Sequence, residues 1–304
     1  MSDDNGPWPT GKVGYVAIVG RPNVGKSTFL NATLGYHLAA VSSRPQTTRR
    51  RWRGILSDDE SQIIFLDTPG VHEQNTQLGN FMLHAVARSL EDADVVLCIC
   101  DATREPGEED EMVIERVAAA KQPVILAVNK IDEATPTQQK EIAAAYQAGI
   151  PDVIAQFGIS ALQETNLDAI LAMIRDKLPS GPYFYPPDQI TDAFERDIGA
   201  EIIREGALQH LYEELPHALA IEIVEWKRTE KKLRIEANLY VERDAQKPLV
   251  IGKNGTMLNR IRADAVKLLR EWSETFVDLN IHVKVAPKWR NKQRFLRDMG
   301  LMDG

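Results

Sequence analysis

The feature that most constrains this chain is the segment Gly20-Arg-Pro-Asn-Val-Gly-Lys-Ser27, which matches the pattern G-x-x-x-x-G-K-[ST]. It lies between an apolar, β-rich run, Val13–Val19, and a helical pattern, Ser27–Leu34. Glycines at both ends allow a tight loop whose backbone N–H groups converge on an anion, and the following helix directs its positive end at the same point. The sequence therefore predicts a strand, a phosphate-binding loop and a helix in that order.

Two side chains of this loop carry chemistry. Lys26 is predicted to reach the outer phosphates, and the Ser27 hydroxyl to bind Mg²⁺. A glycine-rich turn without function is the alternative, which the position between a strand and a helix disfavours. The further residues predicted to contact the nucleotide here are Gly20, Asn23, Val24, Gly25 and Thr28.

A second motif, Asn129-Lys130-Ile131-Asp132, follows the buried run Pro123–Val128. The carboxylate of Asp132 can accept hydrogen bonds from N1–H and the exocyclic amine of guanine, whereas adenine offers neither donor. A polar turn could produce the same residues, but their place after a phosphate loop and a buried strand favours guanine recognition. Ser160, Ala161 and Leu162 follow the strand Val153–Ile159, and the Ala161 N–H is a weaker candidate for a bond to the base.

The third element is Asp67-Thr-Pro-Gly70, at the end of the apolar run Ile63–Leu66. Asp67 can hold Mg²⁺ through water, and the Gly70 N–H can bond a γ-phosphate and release it after hydrolysis. Taken alone, these four residues predict a simple turn. Their position after the phosphate loop instead favours a role at the metal and the γ-phosphate. A threonine between the two motifs is expected to close over Mg²⁺, and we favour Thr48 over Thr47, though spacing barely separates them.

The first half of the chain alternates strands and helices. Its β-rich runs are short and unalternated, which is typical of a parallel sheet covered on both faces. The segment Leu178–Pro187 contains four prolines and a glycine and cannot continue a helix. We predict domains at 1–180 and 191–304, joined by a proline-rich linker at 181–190.

The second half changes order to a helix, two strands, two helices and a strand, which is the order of a type II KH domain. Gly252-Lys-Asn-Gly255 sits between the two adjacent helical patterns. A flexible, basic G-x-x-G loop in this context can hold a nucleotide backbone while a neighbouring groove reads single-stranded bases. A small α+β domain for protein contacts or dimerisation is the alternative. The predicted RNA-binding residues are Ile251, Gly252, Lys253, Asn254, Gly255, Arg260, Lys267, Lys288 and Arg290.

Charge separates the two halves. The chain has a net charge of −8, all of it in residues 1–180, because residues 181–304 hold 20 basic and 20 acidic side chains. Lys284–Arg297 contains six basic residues and no acid. The halves therefore suit different partners. Trp289 and Phe295 in this tail either offer stacking surfaces or pack a helix on the domain, and Arg49–Arg51 with Arg53 form either a solvated face or a contact for RNA or a partner.

The two cysteines, Cys98 and Cys100, share one face of a strand and are expected to pack rather than to form a disulfide. No apolar run approaches the roughly 20 residues needed to span a bilayer, and the polar N-terminus shows no secretory signal. These features indicate a reducing cytoplasm.

The ordered motifs G-R-P-N-V-G-K-S, D-T-P-G, N-K-I-D and V-I-G-K-N-G resemble those of the bacterial Era GTPase family over about Val13 to Trp289. The resemblance implies a Ras-like, P-loop GTPase domain with a mostly parallel sheet, followed by an α+β type II KH domain. It also implies GTP and GDP as substrate and product with Mg²⁺, binding of the 3′ end of 16S ribosomal RNA, and a role in assembly of the 30S subunit. The implied location is the cytoplasm or, loosely bound, the membrane surface, and the implied oligomeric state is a monomer.

One departure concerns catalysis. Ras-type proteins place a water-orienting glutamine directly after D-x-x-G, whereas this chain has Val71, so intrinsic hydrolysis is expected to be slow. Related GTPases use a K⁺ ion held by a phosphate-loop asparagine, which corresponds to Asn23, and K⁺ is therefore a further candidate cofactor. His72 is more simply a solvent-facing side chain. Pro248, shortly before the KH loop, fits the first turn of a helix.

The sequence thus predicts a GTP-hydrolysing switch that controls an RNA-binding module, with Lys26, Thr48 and Gly70 in catalytic roles and Ser27, Thr48 and Asp67 at the metal. Two other functions stay open. One is an RNA chaperone in which the nucleotide only times placement, and the other is a signalling switch whose second domain contacts a protein.

Overall fold

A computed structural model describes residues 8–42, 49–70 and 76–302, which form two compact units. Of these residues, the first unit takes 8–38, 50–70 and 82–192, and the second takes 39–42, 49, 76–81 and 193–302. No helix within the described ranges is both long and apolar enough to cross a membrane.

The first unit is an α/β domain. Its strands are β1 (Thr10–Val19), β2 (Trp52–Ser57), β3 (Ser61–Asp67), β4 (Val95–Asp101), β5 (Val124–Asn129), β6 (Val153–Ile159) and β7 (Ser180–Pro182). Its helices are α1 (Lys26–Leu34), α2 (Gln77–Asp92, of which residues 77–81 belong to the second unit), α3 (Glu108–Ala118), α4 (Pro136–Gly149) and α5 (Leu167–Lys177).

These strands form one sheet in the order β2-β3-β1-β4-β5-β6, with β7 also paired to β1. The neighbours from β3 to β6 run parallel, while β2 and β7 are antiparallel to their partners. Alternate residues of β1, β4 and β5 pack against α2, α3 and α4 in one buried cluster, and α1 and α5 contact the sheet outside it. The predicted three-layer domain with a mostly parallel sheet is confirmed.

Cys98 and Cys100 lie in that cluster as buried free thiols. Burial raises the pKa of Cys98 to about 12, so the thiol stays protonated near neutral pH.

The proline-rich segment interrupts the helical pattern as expected, yet residues 180–192 pack within the first unit. β7 pairs with β1, and the Tyr183 hydroxyl donates to the Asp58 carbonyl oxygen at 2.8 Å. The Gln62 side-chain oxygen accepts the N–H groups of Phe184 and Tyr185. The units divide between residues 192 and 193, whereas the domain limits read from the sequence stay a prediction.

The second unit is an α+β domain. Its elements are α6 (Glu195–Leu208), α7 (Leu215–Ala218), β8 (Ala220–Arg228), β9 (Lys232–Val241), α8 (Gln246–Ile251), α9 (Thr256–Ser273), β10 (Phe276–Val285) and α10 (Gln293–Asp298). The sheet has the order β10-β9-β8, with β9 antiparallel to β8 and parallel to β10. Buried and exposed residues alternate along β10, which gives the sheet one face packed under α9 and one polar face. The predicted KH element order is confirmed.

Candidate functional site

The loop between β1 and α1 leaves no room for side chains at its glycines. A Cβ on Gly20 would lie 2.3 Å from the Ile99 carbonyl oxygen, and one on Gly25 would lie 2.2 Å from Nδ2 of Asn129. Gly25 also has a φ of +101°, a conformation that other residues rarely adopt. The loop backbone can therefore approach an anion closely at the start of α1.

Lys26 is charged but buried, with 5% of its surface exposed. Its Nζ donates to the carbonyl oxygens of Gly20 at 2.9 Å and Arg21 at 2.8 Å. Burial is the largest cause that lowers the Lys26 pKa, to about 8. A phosphate beside the ammonium would raise this pKa again, because opposite charge favours the charged form. The loop carbonyls thus hold the Lys26 ammonium inside the loop, where it can bind the outer phosphates of a nucleotide.

Oxygen ligands for a hard cation meet beside this loop. The Ser27 hydroxyl lies 3.4 Å from Oδ2 of Asp67, which ends β3 and is fully buried. A carboxylate and a hydroxyl next to a phosphate site fit Mg²⁺, which prefers oxygen and usually shares its ligands with phosphates. Gly70 is also required to be small, since a Cβ there would lie 2.7 Å from the Pro22 nitrogen.

Asn129 connects three loops at the carboxyl ends of the strands. Its Nδ2 donates to the Val24 carbonyl oxygen at 2.7 Å, and its Oδ1 accepts the Ala161 N–H at 2.9 Å. Lys130 follows with a left-handed φ of +67°, and Asp132 is exposed in the next turn. The phosphate loop and the two predicted base-contacting segments are therefore adjacent. The Ala161 N–H already donates to Oδ1 of Asn129. If it also donates to a guanine, that hydrogen bond must be shared with Asn129 or must replace the bond to Asn129.

The remaining predicted nucleotide contacts surround this centre. Asn23 has a left-handed φ of +63° in the loop, and Thr28 is half-buried in the first turn of α1. The buried Ser160 hydroxyl accepts the Gln163 N–H at 3.1 Å, while Leu162 is 70% exposed. Thr48 and Thr47, together with Val71 and His72, lie outside the described residues.

Arg49, in the basic stretch before β2, does not lie on a solvated face. Arg49 is buried in the second unit, where its guanidinium donates to the carbonyl oxygens of Leu219, Pro216 at 2.9 Å and His217 at 3.2 Å. The solvated-face interpretation is wrong for Arg49, because backbone carbonyls replace water around its charge.

The KH loop has the backbone that its sequence suggests. Gly252, Asn254 and Gly255 have positive φ values of 73°, 53° and 76°. A Cβ on Gly252 would lie 2.7 Å from the Met257 nitrogen, so the turn into α9 requires a glycine there. Pro248 lies in the first turn of α8 as expected, and its carbonyl oxygen accepts the Gly252 N–H at 2.8 Å. The loop is tight and exposes Lys253.

Exposed cations lie in the KH loop and on the helix that follows it: Lys253 in the loop, and Arg260 and Lys267 on α9. Arg260 and Lys267 are seven residues apart, which is about 20° short of two helical turns, so they share one face of α9. Asp264 lies between them on that face. Exposed lysines and arginines of this kind can contact a phosphate backbone.

The basic tail is a packing element at its aromatic residues. Trp289 is fully buried, and its Nε1 donates to the Ala218 carbonyl oxygen at 2.8 Å, with the Phe295 ring centroid 5.6 Å away. Of the two sequence alternatives, packing holds for these rings. Lys288 is exposed, whereas Arg290 pairs with Glu242 at 2.5 Å, so their RNA roles stay predictions with a weaker case for Arg290.

The sequence did not single out three buried charged residues at the phosphate loop: Arg21, which belongs to the loop, and Asp101 and Asp110, which contact Arg21. Asp101 ends β4 at the edge of the sheet where Asn129 ends β5. An acid at the carboxyl end of a buried parallel strand was a usable signal, since ligands bind along that edge. Arg21 occupies a variable position of the loop pattern, so the sequence contained no signal for its role.

Two family models match the chain, one described as 50S ribosome-binding GTPase over residues 15–130 and one described as KH domain over residues 214–290. GTPase Era of Clostridium botulinum (strain Alaska E43 / Type E3) is 39% identical over 292 residues, which cover 95% of this chain and 98% of that protein. GTPase Era of Clostridium tetani (strain Massachusetts / E88) is 40% identical over 290 residues, with the same coverage. This chain belongs to the Era GTPase family.

Solved structures of the family agree in fold. A variant of Aquifex aeolicus Era bound to GDP and AlF4⁻ has a TM-score of 0.90 and 38% identity, with 96% of this chain and all of that chain covered. An Era complex with MgGDPNP and nucleotides 1506–1542 of 16S ribosomal RNA has a TM-score of 0.91 at the same identity and coverage. Membership in the family and the phosphate-loop geometry make this chain a GTPase that hydrolyses GTP to GDP and phosphate.

Replacing Gly25 by alanine tests the loop geometry. The new Cβ would collide with Asn129 and would occupy a left-handed φ, so we expect GDP affinity to fall by about 100-fold or more, or about 3 kcal/mol. Fluorescence titration with a labelled GDP measures this.

Gly35→Ala is the matched control. Gly35 has a φ of +58° but nothing within 4 Å of its Cβ position, so the substitution strains the end of α1 without touching the loop. It should lower stability by about 1 kcal/mol and leave GDP affinity intact. Equal loss of GDP binding in both variants would contradict the collision argument.

Proposed function

We propose that this GTPase binds the 3′ end of 16S ribosomal RNA through its KH unit and assists maturation of the 30S subunit, with the GTP state controlling RNA binding. The observation that carries this proposal is the tight Gly252–Gly255 loop with exposed Lys253, followed by exposed Arg260 and Lys267 on α9. The family complex with nucleotides 1506–1542 of 16S ribosomal RNA supports the choice of RNA. The proposal places the protein in the cytoplasm as a monomer, with at most peripheral contact to the membrane.

In the proposed hydrolysis, water attacks the γ-phosphate in line with the bond to the leaving GDP. Lys26 and the loop N–H groups stabilise the charge that develops on the phosphate oxygens, and the Gly70 N–H bonds the γ-phosphate. Ser27, Asp67 and Thr48 would hold Mg²⁺, which would supply positive charge to the phosphates. Asp132 selects guanine over adenine, because adenine would leave its carboxylate without donors.

K⁺ at Asn23 is the proposed aid to catalysis. Val71 stands where Ras-type proteins have a water-orienting glutamine, and valine can neither hold nor polarise water. Asn23 lies in the phosphate loop, where a bound monovalent cation would add charge next to the phosphates.

Exchanging the loop cations tests the RNA proposal. Lys253→Glu together with Arg260→Glu should weaken binding of a 16S 3′-end oligonucleotide at least about 10-fold and reduce the salt dependence of the affinity, because phosphate contacts are lost. Lys121→Glu together with Lys140→Glu, both on the exposed surface of the first unit, is the matched charge control and should bind as the wild type does. Unchanged RNA affinity in the double variant would reject the KH loop as the RNA site.

Comparing GTP turnover in K⁺ and in Na⁺ at equal ionic strength tests the cation proposal. We expect turnover at least about 10-fold faster in K⁺, since an added positive charge stabilises the transition state. Asn23→Ala should abolish the difference between the two salts. Equal turnover of the wild-type protein in both would remove K⁺ from the mechanism.

A further inference from the structure

Arg21 is an arginine of the phosphate loop that points away from solvent, with 4% of its surface exposed. Its Nη2 donates to Oδ2 of Asp101 at 3.1 Å, its Nε lies 3.2 Å from Oδ1 of Asp110, and its Nη1 donates to the Pro22 carbonyl oxygen at 2.9 Å. A buried guanidinium is costly unless carboxylates compensate it, and here two of them do.

Asp101 serves two cations with one oxygen. Oδ2 accepts Arg21 of the phosphate loop and also Nζ of Lys130 of the guanine motif, at 2.7 Å. Oδ1 is held by the N–H of Thr103 at 2.9 Å and by its hydroxyl at 2.6 Å. Burial acts to raise the pKa of Asp101, but the bonds from Lys130 and Thr103 outweigh it and lower the pKa, so the carboxylate stays charged.

The connection extends to the lysine that faces the phosphates. The carbonyl oxygen of Arg21 accepts Nζ of Lys26 at 2.8 Å. Lys26, Arg21, Asp101 and Lys130 therefore form a continuous polar chain from the phosphate end of the site to the guanine end.

Asp110 supports the same arginine from another side. One of its oxygens accepts the Tyr146 hydroxyl of α4, and the other accepts the Gly107 N–H at 3.1 Å at the start of α3. This part of the cluster connects α3 and α4 to the loop without reaching Lys130. Asp110 can therefore be compared with Asp101. Both carboxylates are buried and contact Arg21, but only Asp101 also binds Lys130.

We propose that Arg21 and Asp101 are positioning residues that couple the phosphate loop to guanine recognition, by holding Lys26 and Lys130 in one connected arrangement. The proposal rests on the proposed nucleotide roles of these two lysines. Loss of the Arg21 side chain keeps the backbone carbonyl that accepts Lys26 but removes the carboxylate contacts that fix this part of the loop. It also leaves Lys130 on a carboxylate that has lost its buried partner. Base binding and phosphate binding then depend on each other through one oxygen atom.

Interaction between the substitutions Arg21→Gln and Lys130→Met tests this coupling. Each should weaken labelled-GDP binding about 10-fold, and the double variant should lose at least about 5-fold less affinity than the product of the single losses. In an Asp101→Asn background the two losses should simply multiply. Arg21→Gln should also slow single-turnover hydrolysis of bound GTP, since the backbone carbonyl of residue 21 that accepts Lys26 loses the side-chain anchor to Asp101 and Asp110.

Tyr146→Phe is the control within the same cluster. Tyr146→Phe should lower the melting temperature and leave the coupling between Arg21 and Lys130 unchanged. If the cluster had only a structural role, the loss of stability would also remove the coupling. Arg21→Lys replaces Arg21→Gln if the latter fails to fold.

Two results would overturn the inference. In the first, the GDP-affinity losses of Arg21→Gln and Lys130→Met multiply in the wild-type background as they do in the Asp101→Asn background. Arg21 and Lys130 would then act independently. A Lys130→Met chain that binds GDP like the wild type would reject the guanine role of Lys130 as well, which separates failure of the proposed site from failure of the coupling.

Discussion

The side chain of Asn129 makes the contacts on which the nucleotide site depends. Its amide donates to the loop between β1 and α1 and accepts from the loop after β6, so two separate strand ends are fixed to a third. Gly25 must stay small because this amide occupies the space of its Cβ. One side chain thereby sets the distance between the phosphate and base ends of the site, and the parallel order of β1, β4, β5 and β6 brings these loops to a single edge.

The positive charges of the phosphate loop are buried in the first unit, whereas those of the proposed RNA site are exposed in the second. In the acidic first unit, Lys26 and Arg21 are buried and bonded to loop carbonyls and buried carboxylates. Charge interactions at these buried positions are strong because little water screens them. In the second unit, the exposed cations of α9 suit a long, hydrated polyanion. Net charge alone would have excluded nucleic acid.

Much of the fold could be predicted from sequence, since short apolar runs and the loop motifs placed the predicted strands and helices within three residues of their observed ends. β2 was missed because its run of arginines hides the buried Trp52 and Ile55. α4 was missed although Thr135 and Gln138 form a capping box at its start. The buried position of Arg49 was not predictable, because only tertiary contacts with backbone carbonyls offset the cost of burying its charge.

The central claim is that nucleotide controls RNA binding by the KH unit. Fluorescence anisotropy of a labelled 16S 3′-end oligonucleotide tests it most directly, with the protein loaded with a non-hydrolysable GTP analogue or with GDP at fixed salt, beside a scrambled RNA. The account predicts tighter binding of the cognate strand in the GTP-like state. Equal binding in both states would contradict it and favour a nucleotide that only times placement. No binding in either state, by protein that still binds GTP, would remove RNA as well and favour a protein partner for the second unit.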